Sequence, residues 1–189
     1  NRMKIHPENW KNLEAAEENG LIIRQERAED YDEVYHIVKE AFEGAVHSDG
    51  NEQDLVAALR KSRSFIPELS LVAVEDGRIV GHILFTKALV QGVEALALAP
   101  LSVLPGYQNR GIGLALVKKG HDIARRLGYE YCVVLGHSQY YPKAGYSPAG
   151  RYGIKAPFEV EEESFMAVSL NGSPNKLNGI MEYDKAFGL

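Results

Sequence analysis

The chain has 189 residues, 45% hydrophobic and 25% charged, with a net charge of −5, ordinary figures for a soluble globular protein. No apolar run approaches the roughly 20 residues of a membrane helix, and the acidic balance excludes general nucleic-acid binding. A single cysteine, Cys132 in "YCVVLG", excludes an internal disulfide and makes a reducing cytoplasm the expected compartment; it reads as an inert core thiol.

Length predicts one domain over 1–189, divided into an N-terminal helical extension (1–20), a core (21–170) and a C-terminal strand segment (171–189). "HPENWKNLEAAEENG" reads as a short helix closed at Gly20. "LIIRQE" reads as a strand, and "AEDYDEVYHIVKEAF" as a helix with apolar spacing at Val34, Ile37, Val38 and Ala41. "GAVHSDGN" is a loop and "EQDLVAALRKS" a second helix. "LSLVAVEDGRIVGHILFTKALV" holds two strands joined at Asp76-Gly77, a strong hairpin signal. "EALALAPLSVL" is the next strand, and Pro100 in its middle requires an edge position or a bulge.

Residues 111–127 give the clearest helix, with a stripe of Ile112, Ala115, Leu116, Gly120, Ile123, Ala124 and Leu127, closed by Gly128. Gly120 on that stripe implies close approach to the sheet. "YCVVLG" follows as a strand and "SQYYPKAGY" as a short helix or turn; 147–163 is loop-like, and "SFMAVSL" and "GIMEYDKAF" are terminal strands. Strand pairs first and a β-helix-β unit later predict an α+β fold, a mixed sheet flanked by helices.

The chemistry concentrates in "LSVLPGYQNRGIGLAL", where a strand passes through a glycine turn into the helix. A helix N-terminus carries unpaired N–H groups and about half a positive charge. Glycines at 111 and 113 leave that main chain open to an anion such as phosphate. Five basic residues stand against Asp122 alone over 107–128, whereas 1–60 carry 14 acids against 7 bases. Leu116 stands where a dinucleotide fingerprint needs its third glycine, and no G-K-[ST] P-loop is present. Q-x-x-G-x-G is what remains, on Gln108, Gly111 and Gly113.

That motif resembles the Q/R-x-x-G-x-G/A of the GNAT superfamily of N-acetyltransferases. "LAPLSVLPGYQ" looks like the family's bulged fourth strand, and "YYPKAGY" like its F-Y-x-K-x-G-F segment. The whole run is similar to a bacterial subgroup of predicted N-acetyltransferases. The resemblance covers about 21–170, most specifically 95–147. It implies six or seven mostly antiparallel strands and about four helices, with acetyl-coenzyme A as cosubstrate and no metal. It also implies a small-molecule or peptide amine acceptor, neither nucleic acid nor membrane as partner, and a homodimer as one option.

Residue by residue, the resemblance implies that the main chain of Leu101, Ser102 and Val103 pairs with the pantetheine arm, an N–H near Val103 holding the oxyanion. Amides of Gln108, Asn109, Arg110, Gly111, Ile112 and Gly113 would take the pyrophosphate, and Lys143 would lie near the nucleotide. Tyr141 aligns with the tyrosine that protonates the departing thiolate, a role suited to a phenol of pKa about 10; Tyr140 and Tyr146 read as packing residues. An amine of pKa near 10 is ammonium at pH 7, about 4 kcal/mol from its nucleophilic form. Glu26, Glu52, Asp54, Glu94 and His137 are the candidate bases, and none is singled out. "DGNEQD" lacks the features of a calcium loop, the histidines form no zinc pattern, and no G-x-S-x-G elbow is present. The expected activity is acetyl transfer to a primary amine in a ternary complex; the alternative is a non-catalytic acyl-coenzyme A binding or sensing module.

Overall fold

The computed structural model describes residues 16–18, 20–45 and 48–189. Among them ten strands and three α-helices follow in order: β1 (Ala16–Glu18), β2 (Leu21–Gln25), α1 (Tyr31–Phe42), α2 (Glu52–Arg60), β3 (Phe65–Glu75), β4 (Arg78–Val90), β5 (Val93–Val103), α3 (Ile112–Leu127), β6 (Tyr131–Leu135), β7 (Ser147–Pro148), β8 (Ile154–Lys155), β9 (Phe165–Ser169) and β10 (Gly179–Glu182). The sheet runs β1-β2-β3-β4-β5-β6-β9-β7, and β10 joins both β4 and β8. Only β5–β6 and β8–β10 pair in parallel, so the sheet is mixed and mostly antiparallel.

Local chemistry accounts for most of these elements. Asp76 and Gly77 both take left-handed φ values, 50° and 76°, as the tight turn between β3 and β4 requires. Gly128 ends α3 at φ 92°, its N–H bonding back to Ala124 and Arg125. A Cβ at Gly120 would fall inside the Phe85 ring, so the helix lies directly on β4. Leu84 packs with Val56 and Leu59 of α2. Successive strand residues point to opposite faces, so α2 and α3 cover opposite sides of the sheet.

Three expectations need correction. Residues 16–18 are not the end of a helix but an edge strand, with Ala16 opposite Ile23 and Glu18 opposite Leu21; cross-strand hydrogen bonding overrides the helical propensity of alanine and glutamate. The rest of the expected helix, 6–15, lies outside the described residues, and three α-helices stand where about four were expected. The strand count rises from six or seven to ten through short pieces, including β7 and β8 inside the supposed loop 147–163.

Pro100 sits at a bulge. Ile83 of β4 faces Leu101 and Phe85 faces Leu98, so Ala99 and Pro100 together oppose Leu84. The extra residue bends β5, and its pairing with β6 is confined to Leu96↔Cys132 and Ala97↔Val133. Beyond Ala97 the two parallel strands are not paired, and the sheet opens in its middle.

Candidate functional site

The opening leads onto the start of α3. Leu104 N–H bonds Val80 of β4 at 2.9 Å, so the alternating main-chain groups of Leu101 and Val103 point the other way, into the opening. The Gln108 side-chain amide donates to the Val103 carbonyl at 3.0 Å, tying the following turn to the end of β5. Asn109 and Gly111 then adopt φ values of 63° and 83°. Ala115 N–H is the first to bond within the helix, to Gly111, and among the described residues no amide from 109 to 114 donates to a protein acceptor. Six consecutive free donors at a helix N-terminus match the needs of a diphosphate.

The two glycines differ in role. Nothing lies within 4 Å of a Cβ built at Gly111, which is exposed and needs glycine for its backbone angle. A Cβ at Gly113 would collide with the Tyr140 hydroxyl and stand 3.6 Å from Leu101 Cδ2. Gly113 is small because Tyr140 packs over it, which corrects the sequence reading that it lies bare to a ligand. Arg110 is exposed, 3.6 Å from Glu75 and 5.1 Å above the Tyr107 ring. The Lys143 ammonium lies 5.9 Å from the Tyr140 ring centroid.

Tyr141 opens the short 3-10 turn Tyr141–Ala144 and packs edge-on to Tyr140 and Tyr146, with centroids 5.0 and 5.7 Å away. Gly136 lets its ring in, since a Cβ there would overlap it. Burial pushes its hydroxyl pKa well up, with Tyr140 and Cys132 adding to the effect. A phenol so placed is a proton donor throughout the neutral range. Tyr146 is the packing residue expected: its hydroxyl donates to Cys132 Sγ at 3.1 Å and meets His121 Nε2 at 2.8 Å. If the hydroxyl donates to sulfur, Nε2 is the ring's protonated nitrogen. Burial pushes the Cys132 thiol up to about 12, which leaves it inert.

On the α2 side of the opening lies a cavity of about 580 Å³, reached from Leu98 and Ala99 of the bulge and Val133 and Leu135 of β6. The candidate bases divide around it. Glu52 and Asp54 line it; Asp54 accepts from the Tyr35 hydroxyl at 3.1 Å. Glu52 accepts from Ser48 on Oε1 at 2.6 Å, while Oε2 is buried with no hydrogen-bond partner. Glu94 lines a different cavity, with Leu127 and Tyr129, five residues or about 16 Å along β5 from the bulge. His137 lines a third with Tyr140 and Lys143, and its carbonyl caps the 3-10 turn through Tyr140 N–H at 3.1 Å.

Glu26 is no free base. Arg60 holds it at two points, Nε to Oε1 at 2.9 Å and Nη2 to Oε2 at 2.6 Å, and the Ser70 hydroxyl donates at 3.0 Å. His82 Nε2 lies 3.1 Å from that hydroxyl. Burial lowers the His82 pKa to about 4 against the opposing pull of Glu26. This buried network fastens the end of α2 to β3 and β4. Arg60 lies 34 positions from Glu26, so no local signal announced the pair.

Among the described residues no group of three or more His, Cys, Asp or Glu could hold a metal, and no helix is long and apolar enough to cross a membrane. Residues 31–145 match the model of the acetyltransferase (GNAT) family. The uncharacterized N-acetyltransferase YjhQ of Escherichia coli (strain K12) is 43% identical over 136 residues, 68% of this chain and 75% of that protein. A GNAT family acetyltransferase from Brucella melitensis, solved in complex with acetyl-CoA, superposes with a TM-score of 0.75 at 32% identity, covering 90% of this chain and 99% of that one. The GNAT family N-acetyltransferase YhbS from Escherichia coli, in complex with CoA, gives a TM-score of 0.82 at 27% identity over 92% and 95%.

Proposed function

This chain belongs to the acetyltransferase (GNAT) family, and from that premise we propose that it transfers an acetyl group from acetyl-coenzyme A to a primary amine, by direct attack in a ternary complex. The carrying observation is the unpaired stretch of β5 beyond Ala97, which runs onto six undonated amides at the start of α3. Such a channel suits a long, hydrogen-bonding arm that ends in a diphosphate. In this reading Leu101 and Val103 offer main-chain partners to the arm, with the Val103 amide polarising the thioester carbonyl; Ser102, expected with them, turns its main chain to His82 of β4. Amides of Asn109, Arg110, Gly111, Ile112 and Gly113 hold the diphosphate, with Arg110 and Lys143 supplying charge nearby; the Gln108 amide, expected among them, donates instead to the Pro105 carbonyl at 3.4 Å, and its side chain braces Val103.

Tyr141 serves as the general acid. After the ammonium gives one proton to solvent, the neutral amine nitrogen bonds to the carbonyl carbon. The carbon–sulfur bond then breaks, the phenol protonates the departing thiolate, and the second proton, shed by the nitrogen as it becomes an amide, returns through water to the phenolate. Calorimetry with coenzyme A, paired with thiol release over a panel of amines, tests the reading. Gly111→Val forces a branched residue to φ 83° and is expected to weaken coenzyme A binding at least tenfold, about 1.4 kcal/mol. Unaltered affinity removes the diphosphate seat, and binding without turnover on any amine favours the acyl-coenzyme A sensing module.

A further inference from the structure

The cavity on the α2 side has two chemically opposite walls. One carries Asp49, Glu52 and Asp54, and no basic residue lines the cavity among those described. The other is apolar: Phe158, Tyr183 and Phe187 form a chain of rings with centroids 6.2 and 5.1 Å apart. Leu135 of β6 joins this wall with half its surface exposed. The carboxylates of the α2 wall meet no cation among the residues that line the cavity, and Leu135 is uncovered. A carboxylate is stabilised by a cationic N–H, and an open apolar surface by an apolar body.

Resting on the acetyl-transfer reading above, we infer that the acceptor is an amphipathic monoamine, one ammonium nitrogen on a hydrophobic, ring-bearing body. The nitrogen sits against the acidic wall of Asp49, Glu52 and Asp54, and the body lies along Phe158, Tyr183 and Phe187. A second cation would be forced against the rings, and a carboxylate beside the amine would face the acids of the α2 wall. A volume of about 580 Å³ accommodates a molecule of small-drug size.

The test is thiol release from acetyl-coenzyme A with phenethylamine, ethylamine, phenylalanine and spermidine as acceptors. Phenethylamine is expected to exceed each of the others in kcat/KM by about tenfold or more. Glu52→Gln keeps the shape of the site and is expected to raise the phenethylamine KM about tenfold, with coenzyme A affinity unchanged. Phe187→Ala is expected to erase most of the preference for phenethylamine over ethylamine. Equal or better turnover of spermidine or phenylalanine overturns the inference and leaves acetyl transfer standing, as does an unchanged KM in Glu52→Gln. Thiol release that no amine raises above the amine-free rate overturns both.

Discussion

Replacing Arg60 with methionine isolates the buried network beneath α2. The Glu26 side chain is 1% exposed and receives two of its three hydrogen bonds from Arg60. The guanidinium also lies 4.1 Å over the Tyr31 ring. Methionine keeps much of the volume but leaves a buried carboxylate with one neutral donor. Breaking one side of such a pair costs about 3–5 kcal/mol, which for a chain of this length lowers Tm by about 6–20 °C. Arg60 also helps to hold the His82 pKa low, so in the variant the native state binds protons more readily. The deficit against wild type therefore shrinks as pH falls from 7 to 5. Urea unfolding of both proteins at the two pH values measures this. Glu26→Gln combined with Arg60→Met removes both charges and is expected to recover part of the loss. A deficit below about 1 kcal/mol at pH 7 refutes the reasoning, because the pair would then be behaving as a solvated one.

Tyr141→Phe is expected to lower kcat about a hundredfold with coenzyme A affinity intact; an unchanged rate removes the acid role. Gly120→Ala drives a methyl into the Phe85 ring and is expected to cost about 1–3 kcal/mol in urea unfolding, with refutation by wild-type stability. His82 and His121 are both held by burial at about 4, below the unfolded value of about 6.5. The unfolded chain thus binds more protons between those values, and stability, complete above about 6.5, falls as pH drops towards 4 by up to about 3 kcal/mol per histidine. A urea midpoint that stays level from pH 7 to 4.5 contradicts this.

What the sequence disclosed tracks how local each cause is. The turn at Asp76-Gly77 and the cap at Gly128 depend on neighbours within a few residues and could be read from spacing. The stripe of α3 was read in part, since Ile112, Leu116, Gly120 and Ala124 are buried but Leu127 is 45% exposed, and Val117 and His121 are buried outside the expected stripe. The donor turn was legible because its chemistry belongs to the main chain and requires only glycine at 111. Gly113 misled, since the side chain that demands its smallness comes from Tyr140, across the β6 turn. Ala16–Glu18 misled in another way: its strand form depends on pairing with β2 rather than on its own composition. The cavity on the α2 side was out of reach, because α2, the β5 bulge, β6 and the 183–187 segment meet only after folding. The same distance made Glu26 look available as a base when Arg60 had already claimed it.

The narrow β5–β6 junction has a mechanical consequence. Directly between β5 and β6 only two residue pairs knit the halves of this sheet, with α3 above them and β10 linking β4 to β8 at one end, leaving a seam through its centre. A carrier arm lodged there would act as a keystone strand, so resistance to heat and to proteolysis should rise and fall with the supply of the acyl donor itself.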